Sequence, residues 1–224
     1  MRKLFIISIF SLLISPVIAE LPYTDIEHNI DPAEIWTSDI LDQSYPNSAT
    51  VTLEINGDGE PYNNNRPIDI IFALDSSGSM GDNDPDGHRA TAVHEFIDKL
   101  THFKDRVGIV SWSDHIVFDL PLTDDFSNAK RTAANVGTNG GTDLDLGLAR
   151  SIDLLIQQPR RSTKVIIFLS DGDGDYIMSG MRGSETDRAR SSDILIYTIG
   201  LGNASNERYL DDIAEATGGK YFFA

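Results

Sequence analysis

Ile68-Asp69-Ile70-Ile71-Phe72-Ala73-Leu74-Asp75-Ser76-Ser77-Gly78-Ser79-Met80 is the stretch that decides the fold. Ile68 to Leu74 is a nearly continuous apolar run. That is the pattern of a strand buried on both faces, not of one that alternates between core and water. The run stops at Asp75. The next four residues put hydroxyls at Ser77 and Ser79, with Gly78 allowing a tight turn between them. One carboxylate and two hydroxyls at i, i+2 and i+4 place three oxygen donors on one loop, a set suited to a hard cation of the magnesium type.

Working outward, Ala90, Val93, Phe96, Ile97 and Leu100 recur at helical spacing. Val107–Trp112 and Ile116–Leu120 read as two short strands joined by Ser113-Asp114 in a hairpin. Phe126–Val136 reads as a short helix, and Leu144, Leu148, Ile152 and Leu155 as the buried stripe of another. Lys164–Leu169 and Ile194–Ile199 are apolar strands, with Glu185–Arg190 as a helical turn or two between them. Tyr209, Leu210, Ile213 and Ala214 mark a last helix closed by Gly218 and Gly219, and Tyr221-Phe222-Phe223 a last strand. Strands alternating with helices predict an α/β fold over residues 67–224: a doubly wound, mainly parallel, six-stranded sheet with helices on both faces. In such sheets ligands bind beyond the carboxyl ends of the strands, where strand order reverses. Asp75 and Asp171 each follow an apolar strand, and those two strands are expected to be neighbours at the reversal. Gly140-Gly141-Thr142 offers one more hydroxyl at the start of a helix.

These segments together resemble the von Willebrand factor type A domain, the fold of integrin inserted domains and of many prokaryotic surface proteins. The resemblance rests on Ile68 to Met80, on Gly140-Gly141-Thr142, on Leu169-Ser170-Asp171-Gly172 and on Ile196-Tyr197-Thr198-Ile199-Gly200-Leu201-Gly202. It implies a metal-ion-dependent adhesion site of the prokaryotic exported type, with Asp75, Ser77, Ser79, Thr142 and Asp171 on all five family positions. It also implies Mg2+, with Mn2+ or Ca2+ as substitutes. Five oxygens with two formal charges leave a sixth octahedral position for water or a ligand oxygen. A metal held by so few anionic groups keeps positive charge, so the expected partner is a protein that offers a carboxylate.

Other signals carry less. Asp82-Asn83-Asp84-Pro85-Asp86-Gly87 starts like a calcium loop, but Val93 stands where its closing glutamate belongs. It is read as a solvated acidic loop, and Asp173 and Asp175 as solvated carboxylates. His94-Glu95 begins a zinc-protease motif that Asp98 breaks, which leaves His94 on a helix surface. Gly200-Leu201-Gly202 lacks its third glycine and belongs to a late strand, so a dinucleotide site is rejected. Asn203-Ala204-Ser205 is a glycosylation sequon.

The 224 residues carry 18 Lys and Arg against 35 Asp and Glu, a formal charge of −17. That sign argues against nucleic acid as a partner, since phosphate binding needs the opposite one. The absence of cysteine excludes disulfides, thiolate metal sites and cysteine nucleophiles. Residues 1–19 read as a secretory signal peptide: Arg2 and Lys3, an apolar run from Leu4 to Ile14, and Val17-Ile18-Ala19 before the cut. The protein is therefore expected to be secreted or in the cell envelope, with no membrane span after cleavage. Residues 20–66 are polar and turn-rich, with one clear strand in Ala49–Ile55, and read as a β-containing appendage and link.

The expected function is an exported, non-enzymatic binding module that captures a partner carboxylate through its metal. A metal-dependent hydrolase and an envelope scaffold with a structural metal are the competing readings. Neither a second metal nor a general base is named by the sequence. Domains of this kind usually end in a further helix, and none follows Tyr221-Phe222-Phe223 here. Those aromatics are therefore expected to stand uncovered at the sheet edge and to favour self-association.

Overall fold

The computed structural model describes residues 66–202 and 207–224 in full and, before them, the backbone of three strands. The sequon at Asn203 and the cut after Ala19 lie outside the described residues. The chain divides into two compact units, Met1–Arg66 and Pro67–Ala224.

In the first unit, β1 (Ile6–Phe10), β2 (Thr24–Asp31) and β3 (Ser48–Gly57) form a sheet in the order β1-β3-β2. β1 runs parallel and β2 antiparallel to β3. β3 contains the strand expected at Ala49–Ile55, and β1 falls inside the apolar run of the export-signal reading. The expectation of one strand in residues 20–66 is corrected, because β2 is a second. Its only apolar residues, Ile26 and Ile30, stand four apart, a spacing that fits one helical turn as well as two strand repeats, with His28 between them. Its extended form is stabilised by pairing with β3.

The second unit follows the predicted order. β4 (Ile68–Asp75) leads to the single turn α1 (Met80–Asn83), which the sequence reading did not foresee, and to α2 (His88–Ile97). β5 (Arg106–Trp112) and β6 (Ile116–Thr123) form the expected hairpin and are followed by α3 (Phe126–Ala133) and α4 (Leu144–Gln157). Then come β7 (Thr163–Ser170), α5 (Glu185–Ser191), β8 (Ile194–Gly200), α6 (Glu207–Thr217) and β9 (Tyr221–Phe223). The six-stranded sheet has the order β6-β5-β4-β7-β8-β9, and only β6 is antiparallel. β4 and β7 are neighbours at its centre, as the reversal argument requires.

Successive side chains of β4 serve opposite faces. Ile71 and Ala73 join a core cluster with Leu144, Leu148 and Ile152 of α4, while Phe72 meets Phe96 of α2 edge-on at 5.3 Å. Helices thus cover both faces, which is why β4 is apolar almost throughout. Trp112 is fully buried and stacks on Phe168 at 5.0 Å. α4 crosses that indole at Gly147, where a Cβ would sit 2.6 Å from the ring. Gly218, with φ +83°, closes α6 in the left-handed region glycine tolerates. Tyr221 packs against the core and Phe222 is half-buried, so of the three terminal aromatics only Phe223 is exposed, at 53 %. The expected wholly uncovered edge is corrected accordingly: β9 pairs with β8 close enough to α6 to share its cover.

The end of the sheet opposite Asp75 is held by one buried carboxylate. Asp69 accepts hydrogen bonds from Arg106 Nε and Nη2 (2.9 and 2.8 Å), Arg160 Nη2 (2.7 Å) and Ser162 Oγ (2.5 Å). Burial alone would raise its pKa, but these donors outweigh burial and hold it below the usual carboxylate range. Asp69→Ala would leave two arginines facing an unpaired site and should cost about 3 kcal/mol in urea denaturation at neutral pH. The lowered native pKa fixes the sign of the pH dependence. The contribution is complete above the unfolded value of 3.8 and is lost as pH falls through the lower folded value. The gap between wild type and variant should therefore be constant near neutrality and close in acid.

Candidate metal centre

Three loops meet at the carboxyl end of the central strands. Asp75 is the last residue of β4 and is fully buried, as is Ser77 to within 1 %. Asp75 Oδ1 accepts from the Ser77 backbone N–H at 2.8 Å, which curls the loop back over its own carboxylate. Asp75 Oδ2 accepts from the Ser170 hydroxyl at 2.6 Å. Ser170 lies one step beyond the Leu74–Leu169 pair in the β4–β7 register, so strand pairing brings it opposite Asp75. Ser77 Oγ and Ser79 Oγ stand 3.1 Å apart.

Backbone hydrogen bonds tie this loop to the one that carries Thr142. Gly78 N–H donates to Gly140 O at 3.0 Å, and Asn139 N–H donates to Ser76 O at 2.6 Å. The Thr142 loop is tied in turn to the loop after β7. Asp175 N–H donates to Thr142 O at 3.1 Å, and Leu144 N–H donates to Asp175 O at 2.9 Å. Gly174 allows this approach, because a Cβ there would lie 2.6 Å from Thr142 O. Asp171, 2 % exposed, accepts from Asn83 Nδ2 at 2.9 Å and from the Asp173 backbone N–H at 3.2 Å. The loops bearing Asp75, Ser77, Ser79, Thr142 and Asp171 are therefore stitched together.

The electrostatics of the cluster are those of crowded carboxylates. Burial pushes the Asp75 carboxyl up to about 6, and the charge of Asp171 adds to the rise, against the hydrogen bonds from Ser170 and Ser77. A buried carboxyl whose ionisation is opposed by burial and by a neighbouring carboxylate would be relieved by a positive ion nearby. The donors fit a hard ion. All are oxygen, and each Asp75 oxygen keeps a second lone pair for a metal. The Ser77–Ser79 separation also matches the ~3 Å edge of an octahedron with magnesium–oxygen bonds of ~2.1 Å. Among the described residues no three Asp, Glu, His or Cys side chains converge as a metal site.

Three site residues escaped the sequence reading. Asn83, on the unforeseen α1, reaches Asp171 from 88 residues away, and no motif announces it. Ser170 was visible beside Asp171, but its role depends on strand register. Asp84 was read as part of a solvated loop and is instead buried at 4 %. Its carboxylate accepts from the N–H groups of His88 and Arg89 at the start of α2, while Asp82 and Asp86 are exposed as expected. Asp173 and Asp175 are exposed too. His94 is not free on the surface: it is half-buried, and its Nε2 hydrogen-bonds Lys130 O at 2.7 Å.

A Ser–Asp–His group borders the site at the β5–β6 turn, where Ser113 and Asp114 lie against Gly140. His115 Nδ1 meets Asp114 Oδ1 at 2.7 Å and Ser113 Oγ at 3.3 Å. A nucleophilic triad uses the two ring nitrogens for the two partners. Here one nitrogen serves both, and Ser113 is fully buried.

Known proteins share this architecture. The profile of the von Willebrand factor type A domain matches residues 69–224. The inter-alpha-trypsin inhibitor heavy chain H3 of Rattus norvegicus is 26 % identical over 166 residues, covering 66 % of this chain and 18 % of its own length. The collagen alpha-1(XXI) chain of Homo sapiens is 28 % identical over 179 residues, covering 74 % of this chain and 18 % of its own. The chain thus spans less than a fifth of these relatives. An aerotolerance-related membrane protein of Bacteroides fragilis has the same fold, with a TM-score of 0.59 and 20 % identity over 70 % of this chain and 91 % of its own. The profile match runs from the first strand of the six-stranded sheet to its last, so the chain belongs to the von Willebrand factor type A domain family.

Proposed function

We propose that this chain is an exported protein-binding module that holds one divalent ion, Mg2+ or Mn2+, on Asp75, Ser77, Ser79, Thr142 and Asp171. The ion's open position takes a carboxylate from a partner protein. The observation that carries the reading is a fully buried Asp75 raised by burial and by Asp171, at the head of an oxygen-only loop cluster. Such a set prefers hard ions to zinc, which favours nitrogen and sulfur. The bound ion would supply a fixed positive charge, and the chain's own residues hold and orient it. With only two anionic ligands the loaded centre still attracts an anion.

The geometry favours binding over hydrolysis. The imidazole at the rim, His115, is engaged through Nδ1 by Asp114 and Ser113, and in this reading the hydroxyls of the cluster would be metal ligands rather than nucleophiles. An extracytoplasmic setting agrees with the amino-terminal signal pattern and with a collagen chain among the relatives. Among the described residues no helix is long and apolar enough to cross a membrane. Phe223, exposed at the sheet edge, is where copies of the chain would associate.

Calorimetric titration should show one Mg2+ or Mn2+ per chain, and Asp75→Ala should abolish the heat. Loss of binding on His94→Ala instead would refute the ligand set. Asn83→Ala should weaken the ion about 10- to 100-fold, as loss of a side chain that orients a ligand does. Partner capture should vanish on chelation and on substitution of one Asp or Glu of the partner. Capture that survives chelation and Asp75→Ala would remove the metal from recognition.

A further inference from the structure

Arg89 is the anomaly beneath this centre. Its side chain is 2 % exposed, yet Nε and Nη1 have no hydrogen-bond partner. Nη2 donates to Gly137 O at 2.8 Å, on the segment that leads to Thr142. Nε lies 3.6 Å from Asp84 Oδ2, whose carboxylate already caps α2. One guanidinium therefore links the α1–α2 junction, just beyond Ser79, to the Thr142 loop.

A buried arginine costs several kcal/mol of desolvation, which hydrogen bonds and counter-charges must offset. Its hydrogen bonding here is incomplete, so counter-charge must carry more of the load. Burial pushes the Arg89 pKa down, and the charges of Asp84, Asp75 and Asp171 pull it back up, in that order. Two of those three are the carboxylates of the metal centre. Three carboxylates against one guanidinium leave two negative charges, which one divalent ion cancels.

We propose that Arg89 is the built-in counter-charge of the metal centre: it balances Asp75 and Asp171 when no ion is bound, repels the ion that arrives, and so sets how tightly the metal is held. This rests on the metal reading above and adds a control of affinity to it. Without Arg89 the empty centre would hold unbalanced buried carboxylates and the loaded centre would be net negative, a poorer receptor for a partner's carboxylate. Arg89 is a positioning and charge-setting residue, not a ligand, since its cationic nitrogens cannot bind a metal.

The test uses the full chain stripped with EDTA, with Mn2+ as the probe. Arg89→Gln should lower the melting temperature in EDTA, tighten Mn2+ about tenfold or more in calorimetry, and enlarge the rise in melting temperature at saturating Mn2+. Arg89→Lys keeps the charge and should stay within about threefold of wild-type affinity. A residue that only packs would lower the melting temperature equally with and without Mn2+ and would leave affinity unchanged or weaker, and that result would overturn the proposal. Should Arg89→Gln not fold, Arg89→Gln with Asp75→Asn removes both charges together and should fold in EDTA; failure of the double variant would also overturn it. A wild-type chain that takes up no Mn2+ overturns the metal reading and this proposal with it. Wild-type uptake with unchanged Arg89→Gln affinity overturns this proposal alone.

Discussion

The parallel pairing of β4 with β7 is the constraint on which the rest of the second unit depends. Both strands are buried on both faces, so neither can slip in register without losing apolar contacts to helices above and below. Their shared end is therefore fixed. It puts Asp75 opposite the Ser170 hydroxyl and starts the Asp171 loop beside the Ser77–Ser79 loop. Everything polar at the centre is built on two strands whose inner stretches, 70–74 and 165–169, are all Ile, Val, Leu, Phe or Ala.

The opposite end of the same pair is held by different chemistry. Asp69, at the second position of β4, gathers Arg106 from β5 together with Arg160 and Ser162 from the segment before β7. One carboxylate there is satisfied by two cations and a hydroxyl, and its pKa falls. Asp75 at the far end has a hydroxyl, a backbone N–H and a second carboxylate for company, and its pKa rises. The contrast separates a carboxylate satisfied by hydrogen-bonded arginines from one that receives only neutral donors. Two aspartates at the two ends of one strand differ only in what the folded chain brings to them.

Loop order around the centre comes from backbone pairing more than from side chains. Gly78 with Gly140, Asn139 with Ser76, and Asp175 with Thr142 form a belt of main-chain hydrogen bonds that holds three loops at fixed spacing. Most backbone groups of the belt satisfy one another, while the N–H groups of Ser77 and Asp173 donate to the carboxylates of Asp75 and Asp171. A hydroxyl-rich site with only two carboxylates is kept from collapsing on itself in this way.

The sequence by itself determined the sheet class, the order of its elements and the hairpin at Ser113-Asp114, and it offered the five oxygen-bearing residues as candidates. These follow from local periodicity and from motifs a few residues long, where burial on one or two faces is written directly into the pattern. It misread β2, whose two isoleucines stand four apart, and the loop at Asp82–Asp86, whose central carboxylate is buried. Only the tertiary structure decided that Asn83 supports Asp171, that Ser170 answers Asp75, that Tyr221 is covered while Phe223 is not, and that Arg89 lies buried beneath the centre. Each of these joins residues distant in sequence through register or loop pairing. A short polar side chain looks the same in a sequence whether water or another strand is its partner; only the packed sheet says which.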